Sequence, residues 1–382
     1  MASPYNPGYQ DVSANPTDFS LPRFKQEYMD EYIRTNRFSK YMGTENDMPI
    51  QIIAEMKKGG ETIKCPMIGR LKKTGVYGNM PLSGREEELN RQSHTLTVEY
   101  RRNAVSLTER DEQFSIARAL PQVRPHLLRW SKEQLRNDII DALFSVSPRK
   151  TMLAPLANPD STQVISGDPA VPTIKTQATD GELDAWQADN EDRVLFHLPG
   201  AETAGDFSAS IGAVGAGDIA TADTIRAAKD KAVTCDPHIT PIVVGDDDEE
   251  YFIMFASQTM FRWLQKDTEI REYNQHALER GSKRNPIRTG ADLEFDGVII
   301  RPVPEIGNHS DAVTRGILCG AEAVGVGLGM DPDFRENKND DYGHLKGVGI
   351  TECLGVEKLQ WHDGTNYTDN GCVTVFTAVA AS

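Results

Sequence analysis

Two short runs carry residue types that could hold a metal or a cation. Cys235-Asp236-Pro237-His238 offers a thiol and an imidazole, both of which are zinc ligands. A structural zinc site takes four such ligands, and the sequence has no matching second pair. The acidic run Asp246–Glu250 lacks the regular alternation of a calcium loop. We therefore predict no metal at the first run and a solvated acidic turn at the second.

A third run, Gly325-Val326-Gly327-Leu328-Gly329, resembles a fragment of a dinucleotide-binding loop. The spacing of that fingerprint is broken, and no acidic residue follows on a second strand in the expected context. Glycines in a strand also mark places where another part of the backbone approaches closely. This run therefore predicts close packing and no cofactor.

The usual catalytic signatures are missing from the sequence. It has no Walker A loop, no G-x-S-x-G elbow and no H-E-x-x-H helix, and its eight histidines are scattered. The five cysteines form no C-x-x-C pair and are expected to be buried free thiols. We predict no catalytic residue. An enzyme with an unrecognised site in residues 150–240 stays open as an alternative, which a monomer with a deep, charged cleft would favour.

Composition indicates a folded, acidic protein. The 382 residues are 38% hydrophobic and 26% charged, with a net charge of -16. Such a surface repels nucleic-acid phosphate, so sequence-specific DNA binding is not expected, although a wall that encloses DNA is compatible with this sign. The first residues show no signal peptide, and no run approaches the ~18 apolar residues of a membrane span.

The most informative segment is a predicted two-stranded arm. Two strand-like runs, Thr62–Lys73 and His94–Leu107, flank a glycine-rich tip. In the second run Leu96, Val98 and Tyr100 alternate on one side. The arm is strongly charged, with few residues to bury, and an isolated hairpin is marginal in water. We expect a neighbouring copy to cover it, through the charged residues Arg70, Lys72, Lys73, Arg85, Glu86, Glu87 and Glu88.

The remaining pattern predicts an α+β fold. A long helix should start near Pro125 and end before Pro148, because Leu128, Leu135, Ile139, Leu143 and Val146 recur at helical spacing. Residues 150–220 are expected to form long surface loops that could include short strands. The other predicted helices are Phe24–Phe38, Ala222–Val233, Ser257–Lys266 and Thr268–Arg280, the last capped by Gly281. The other predicted strands are Ile239–Val244, Tyr251–Phe255, Phe295–Val303, Gly316–Ala323, Gly347–Leu354 and Val373–Ala380.

Several passages, in order, resemble the major capsid proteins of tailed bacteriophages with the Hong Kong 97-type fold. They are YMGTENDMPIQIIAEMKKGGETIKCPMIGRLKKTGVYGNMPLSGREEELNRQSHTLTVEYRRNAVSL, HLLRWSKEQLRNDIIDALFSV, ITPIVVGDDDEEYFIMFASQTMFRWLQKD with RNPIRTGADLEFDGVIIRPVPEI, and RGILCGAEAVGVGLG followed by CVTVFTAVA. No single passage is decisive, but the ordered set covers most of the chain.

The resemblance implies four parts and a structural role. Residues 1–58 would be an N-terminal arm, 59–107 an extended loop, 108–150 the spine helix of a peripheral domain, and 151–382 an axial domain whose strands return to the peripheral domain. Hexamers and pentamers would tile an icosahedral shell around double-stranded DNA, with a portal and a separate scaffold or decoration protein as partners. Assembly would take place in the host cytoplasm. An encapsulin-like compartment shares the fold and is the alternative.

Overall fold

In this computed structural model the described residues are 38–45, 47–53, 62–69, 71, 73–87, 91–108, 119–156, 175–200, 202–244, 249–278, 292–340, 344–362 and 366–379. Their helices are α1 (Ala119–Leu143), α2 (Asp180–Asp189), α3 (Phe207–Ala213), α4 (Ala222–Thr234), α5 (Gln258–Lys266) and α6 (Thr268–Leu278). Short 3-10 helices cover Ser39–Tyr41 and Pro304–Ile306. No described helix has both the length and the apolar character that crossing a membrane requires.

The described strands belong to five sheets. They are β1 (Met42–Gly43), β2 (Ile50–Ile53), β3 (Thr62–Ile68), β4 (Arg91–Thr97), β5 (Glu99–Thr108), β6 (Ser145–Ser147), β7 (Lys150–Thr151), β8 (Thr176–Gln177), β9 (Val194–Phe196), β10 (Ile242–Val244), β11 (Glu249–Ala256), β12 (Leu293–Phe295), β13 (Val298–Pro302), β14 (Val313–Cys319), β15 (Val324–Asp340), β16 (Leu345–Lys358), β17 (Gln360–His362), β18 (Tyr367–Asp369) and β19 (Cys372–Ala378). Helices and mixed sheets confirm the predicted α+β class.

One sheet has the strand order β1-β2-β15-β16-β5, with helix α1 packed against it. A polar network ties the helix to the sheet. Arg101 of β5 donates to Glu352 of β16 and to Asp138 of α1, both at 2.5 Å, and Ser131 of α1 donates to Glu352 at 2.5 Å. The side chain of Glu352 is fully buried, so these donors replace the water that its carboxylate loses.

The larger sheet has the order β12-β13-β11-β14-β19-β9, with β10 beside β11. Its parallel pairs are β11 with β13 and β19 with β9, whereas β14 runs antiparallel to both β11 and β19. One hydrophobic cluster joins this sheet to α1 and to the smaller sheet, and a second cluster fills the space under α4 and α5. The two sheets therefore share a core.

The boundaries predicted for the long helix are wrong at both ends. Helix α1 begins at Ala119, with Pro125 inside it. Pro121 lies in the first turn, where the backbone N–H has no intrahelical partner, and Pro125 removes a single hydrogen bond near the helix start. The helix ends at Leu143, because the next residues form β6, which pairs with β7 and contains Val146. The predicted buried positions Leu135 and Ile139 are confirmed.

Other predicted elements are confirmed or divided. The helices α4 and α5 match their predicted positions, and α6 matches over its described residues. The antiparallel pair β10–β11 is confirmed, but β10 begins at Ile242, three residues later than predicted. The prediction of a single strand over residues 295–303 is wrong. A turn at Asp296-Gly297, where both residues have positive φ, separates β12 from β13. Residues 150–220 contain the short strands β7, β8 and β9, in line with the expectation, but the helices α2 and α3 were not predicted. Residues 1–37, 157–174, 245–248 and 279–291 lie outside the described residues.

Candidate interaction surface

The predicted arm exists, but its second strand is shorter than expected. Strands β3 and β4 pair antiparallel from Thr62↔Thr97 to Ile68↔Arg91. Residues from Glu99 onward leave the hairpin and pair with β16. We call the five-stranded sheet that contains β16 and β5 the body sheet, and the two large sheets with the helices packed against them the body. Leu96 and Val98 are buried whereas Tyr100 is 72% exposed, so the single side predicted for these three residues does not continue past the end of the hairpin. Strand β5 therefore anchors the arm to the body.

The base of the arm has a hydrophobic core of its own. Buried and exposed positions alternate along β3, as in a half-covered strand. The buried side chains, which pack with Cys353 and Leu359 of the body, are Ile63, Cys65, Met67, Leu96 and Val98. The expectation that this arm has few residues to bury is therefore wrong for the base, which is fixed to the body of the same chain.

Glycines of the body allow this close contact. A Cβ atom at Gly327 would lie 2.6 Å from Ile63 and from Leu96, and a Cβ atom at Gly355 would lie 2.1 Å from the carbonyl oxygen of Thr97. A side chain at Gly355 would clash with backbone, and one at Gly327 would force Ile63 and Leu96 to move. The close packing predicted for the run from Gly325 to Gly329 is confirmed: Gly325 and Gly327 face Leu96 of the arm, and Gly329 faces Cys353 of β16.

Polar contacts add to the packing at the base. The ring nitrogen Nε2 of His94 lies 3.2 Å from Oε2 of Glu357, and both side chains are buried. The backbone N–H of Thr97 donates to the other oxygen of Glu357 at 3.4 Å. Burial, and then the charge of Glu357, raise the pKa of the Cys65 thiol to about 11. The thiol therefore stays protonated near neutral pH.

The tip of the arm, which runs from Ile68 at the end of β3 to residue 87, is built differently. Gly75, Gly78 and Gly84 have φ values of +79°, +70° and +80° with no atom within 4 Å of a built Cβ, which confirms the predicted turns. Side chains of the tip bond mainly to the tip itself. The N–H of Lys73 donates to Glu87 and its ammonium group donates to the carbonyl of Glu86, both at 2.8 Å.

The charged residues that sequence analysis selected are only partly described. Arg70, Lys72 and Glu88 lie outside the described residues. Arg85 donates to the sulfur of Met80 at 3.0 Å, and the carboxylate of Glu86 accepts the N–H of Gly84 at 2.8 Å. These hydrogen bonds of Lys73, Arg85, Glu86 and Glu87 therefore stabilise the tip conformation. Whether these residues also contact another copy stays a prediction.

An apolar surface on the tip is the feature that sequence reasoning missed. Its large side chains are 59 to 79% exposed, and they are Ile68, Leu71, Tyr77, Met80 and Leu82. Single exposed apolar residues are ordinary, whereas five large ones within one short segment favour an interaction site. These five apolar residues are visible in the sequence of the tip, where glycines and charged residues lie between them. We call these five residues the apolar tip.

The other candidate sites do not assemble into ligand sites. Cys235 donates its S–H to the carbonyl of Ala232 at 3.3 Å, and Nδ1 of His238 lies 2.9 Å from the carbonyl of Cys235. Within the described part of the chain, no group of three His, Cys, Asp or Glu side chains is placed to hold a metal ion. Residues 246–248 of the acidic run lie outside the described residues, and Glu249 and Glu250 belong to β11.

Comparison with known proteins gives one family and a consistent set of structures. The family described as phage capsid protein matches residues 19–381. The structure titled "Cyanophage Pam1 capsid asymmetric unit" shares 26% identity, with a TM-score of 0.76 over 92% of this chain and 94% of that one. The capsid of Ralstonia phage GP4 shares 18% identity, with a TM-score of 0.67 over 90% and 91%. No curated protein sequence matches the chain.

A third structure extends the same likeness. The acid-stable capsid structure of Helicobacter pylori bacteriophage KHP30 shares 15% identity, with a TM-score of 0.61 over 90% of this chain and 92% of that one. At the lower identities the likeness concerns the fold alone.

Proposed function

The chain belongs to the phage capsid protein family, with a Hong Kong 97-type α+β fold, and we propose that its copies assemble as hexamers and pentamers into an icosahedral shell around double-stranded DNA. It is a structural protein of the virion. Closed shells from one repeated chain require each copy to present a surface that a neighbour covers. The apolar tip is the surface that meets this requirement.

The exposure of the apolar tip is the observation that carries the proposal. Five large side chains leave most of their surface in water at the end of an arm whose base is held firmly by its own body. Burying apolar surface against another molecule is favourable by about 25 cal/mol per Å². A neighbouring copy that covers the tip gains this energy, and the arm has already been ordered by intrachain packing.

The seven charged residues keep a secondary role in this proposal. Arg70, Lys72, Lys73, Arg85, Glu86, Glu87 and Glu88 surround the apolar tip in sequence. Charges at the rim of an interface mainly set orientation and association rate, whereas the buried apolar centre supplies most of the affinity. These residues therefore orient the tip on the neighbouring copy.

The four-part organisation is also part of the proposal. Residues 1–58 form the N-terminal arm, 59–107 the extended loop, 108–150 the spine-helix part of the peripheral domain, and 151–382 the axial domain. Two observations support it: α1 packs on the body sheet, and strands β15 and β16 bring residues from beyond 151 back to that same sheet. Strand β5 is the part of the extended loop that lies in the body.

Partners and location follow from the virion role. The proposed partners are other copies of the chain, a portal, a scaffold or decoration protein, and enclosed DNA that is not bound by sequence. The net charge of -16 supports enclosure over sequence-specific binding. Assembly takes place in the host cytoplasm, and the protein has no catalytic activity of its own. The encapsulin-like alternative gains no support from the family match or from the three structures.

Two matched variants test the tip as an assembly surface. Tyr77→Ser, Met80→Ser and Leu82→Ser, combined, remove apolar surface while the backbone turns stay. Arg85→Ser, Glu86→Gln and Glu87→Gln, combined, remove charges from the same segment. The purified chain and both variants are compared by sedimentation velocity and negative-stain electron microscopy. We expect the apolar variant to yield unassembled subunits and the charge variant to form shells more slowly.

Folding must be checked separately, because an unfolded subunit would also fail to assemble. Circular dichroism and thermal melting of the apolar variant should match those of the starting chain, since its three sites are exposed. Normal shells from the folded apolar variant would overturn the proposed role of the tip. If the starting chain forms no particle alone, the comparison is repeated with the scaffold of the same phage, and continued absence of shells would overturn the capsid function.

A further inference from the structure

Two cysteines face each other across adjacent strands of the larger sheet. Cys319 closes β14 and Cys372 opens β19, and the antiparallel register places them directly opposite one another. Both side chains are fully buried in the same hydrophobic cluster. Because disulfide formation needs two sulfurs on neighbouring backbone positions, this opposition is the first requirement for a link.

The second requirement is a suitable distance between the two Cα atoms, which follows from the hydrogen-bond pattern of the strands. The N–H of Gly320 donates to the carbonyl of Gly371 at 2.9 Å, so this pair is a hydrogen-bonded position of the ladder. Positions alternate along an antiparallel ladder, which makes Cys319 and Cys372 a non-hydrogen-bonded pair. Such pairs have Cα atoms about 4.5 Å apart, within the range of about 4.4–6.8 Å that disulfides span.

The other cysteines of the chain lie elsewhere. Cys65 and Cys353 belong to the cluster at the base of the arm, and Cys235 belongs to the cluster under α4 and α5. Cys319 and Cys372 both lie in the cluster shared by the two sheets. All five are free thiols in this structure. Among the five cysteines, Cys319 and Cys372 are the two that a described strand register places opposite each other.

From this geometry we infer that Cys319 and Cys372 are a modification site, a thiol pair that a disulfide-class oxidant converts into a cross-strand disulfide. One thiolate attacks the oxidant disulfide and releases one thiol, and the second cysteine then attacks the mixed disulfide and releases the other. Two cysteine S–H bonds are lost, one S–S bond forms, and the oxidant is reduced to two thiols.

The disulfide would join the two ends of residues 320–371. This segment contains β15 and β16, which belong to the five-stranded sheet, as well as β17 and β18. A disulfide across its two ends constrains the unfolded chain and so stabilises the folded one. After a virion leaves the reducing host cytoplasm, the disulfide would form and stabilise the subunits of the shell. This last role depends on the proposed function, whereas formation of the link does not.

Burial determines how fast the reaction proceeds. Desolvation raises the pKa of the Cys319 thiol, and the contact with Cys372 raises it further. The thiolate is the reacting form, so the folded chain should react slowly. Conditions that open the strand ends without unfolding the chain, such as a low concentration of urea, should accelerate the reaction.

The test is oxidation of the purified chain with oxidised glutathione, with and without a low concentration of urea. Remaining thiols are alkylated under denaturing conditions, and the digest is mapped by mass spectrometry. We expect a peptide linked through Cys319 and Cys372, with alkylated Cys65, Cys235 and Cys353. The oxidised chain should melt a few degrees higher, and reductant should reverse this shift.

Variants and alternative outcomes separate this site from general oxidation. Cys372→Ala should abolish the link and the rise in melting temperature, whereas Cys235→Ala should keep both. If Cys372→Ala does not fold, the peptide map of the unaltered chain still decides the question. Five alkylated cysteines after both treatments, glutathione adducts without the link, or a different cysteine pair would each overturn the inference. Because the assay uses unassembled chain, it is independent of shell formation.

Discussion

The base and the tip of the arm belong to one hairpin, but the base is buried against the body whereas the tip is exposed. At the base, Leu96 is fully buried, against glycines of the body. At the tip, Leu82 is 59% exposed, and the side chains bond to their own segment. The base therefore behaves as part of the core. The tip is a preformed surface whose burial needs a second molecule, and this difference separates folding from assembly.

The largest effect is expected from a side chain placed under the base. Gly355→Val would bring its Cβ to 2.1 Å from the carbonyl of Thr97, a clash with backbone that no rotamer relieves. We expect a loss of at least about 3 kcal/mol in the free energy of unfolding, measured by urea denaturation. Gly217→Val, at a position with open space around it, is the control. Equal stability of both variants would show that the base is loosely packed.

Two leucines of the same arm give the sharpest contrast. Leu96→Ala removes a fully buried side chain and should lower the free energy of unfolding by about 2–5 kcal/mol. Leu82→Ala should leave it within about 0.5 kcal/mol but should slow the formation of shells, as followed by light scattering. A stable Leu96→Ala chain, or an unstable Leu82→Ala chain, would contradict the division between base and tip.

Carboxylates repeat this contrast at a smaller scale. Glu357→Gln removes the charge beside His94 in a buried site and should cost about 1–3 kcal/mol in the free energy of unfolding. Glu87→Gln changes an exposed carboxylate of the tip and should cost less than about 1 kcal/mol. Thermal melting of the two variants provides the measurement. A larger loss for Glu87→Gln would mean that tip charges also stabilise the fold.

The smallest effect concerns reactivity at the base. With its pKa raised to about 11 and its side chain buried, Cys65 should be alkylated by iodoacetamide far more slowly than in the unfolded chain. The rise from 9.0 lowers the thiolate fraction at neutral pH roughly a hundredfold. The rate should therefore continue to increase with pH well beyond 9. Rapid labelling of Cys65 at neutral pH would show that the base opens readily.

Sequence reasoning predicts the parts of this fold that local patterns determine. The helix α4 and the antiparallel pair β10–β11 are confirmed, because amphipathic spacing and turn residues lie within short windows. The start of α1 was missed because Pro125 lies inside the helix, where it removes only one hydrogen bond, and the spacing of apolar residues does not reveal this. The transfer of the chain from β4 to β5 was missed because partner choice depends on β16, more than two hundred residues away.

The candidate surface shows the same limit. The arm and its glycine turns were predictable, since two strand-like runs flank the tip. Which arm residues are covered depended on residues such as Gly327 and Leu359, which reach the arm only in the folded chain. The sequence pattern of charges favoured residues such as Lys73 and Glu86 as contacts with another copy. The apolar candidates Tyr77 and Met80 are identified by the exposure of their side chains in the folded chain.

Hydrogen exchange of unassembled and assembled chain tests the central claim most directly. Peptides covering strands β3 and β4 should be protected in both states, because the base is packed within one chain. Peptides covering residues 73–87 should exchange rapidly in the free subunit and gain protection on assembly, since a neighbour then covers the apolar tip. A tip that exchanges equally fast in both states, or a base that gains protection only in shells, would contradict this account.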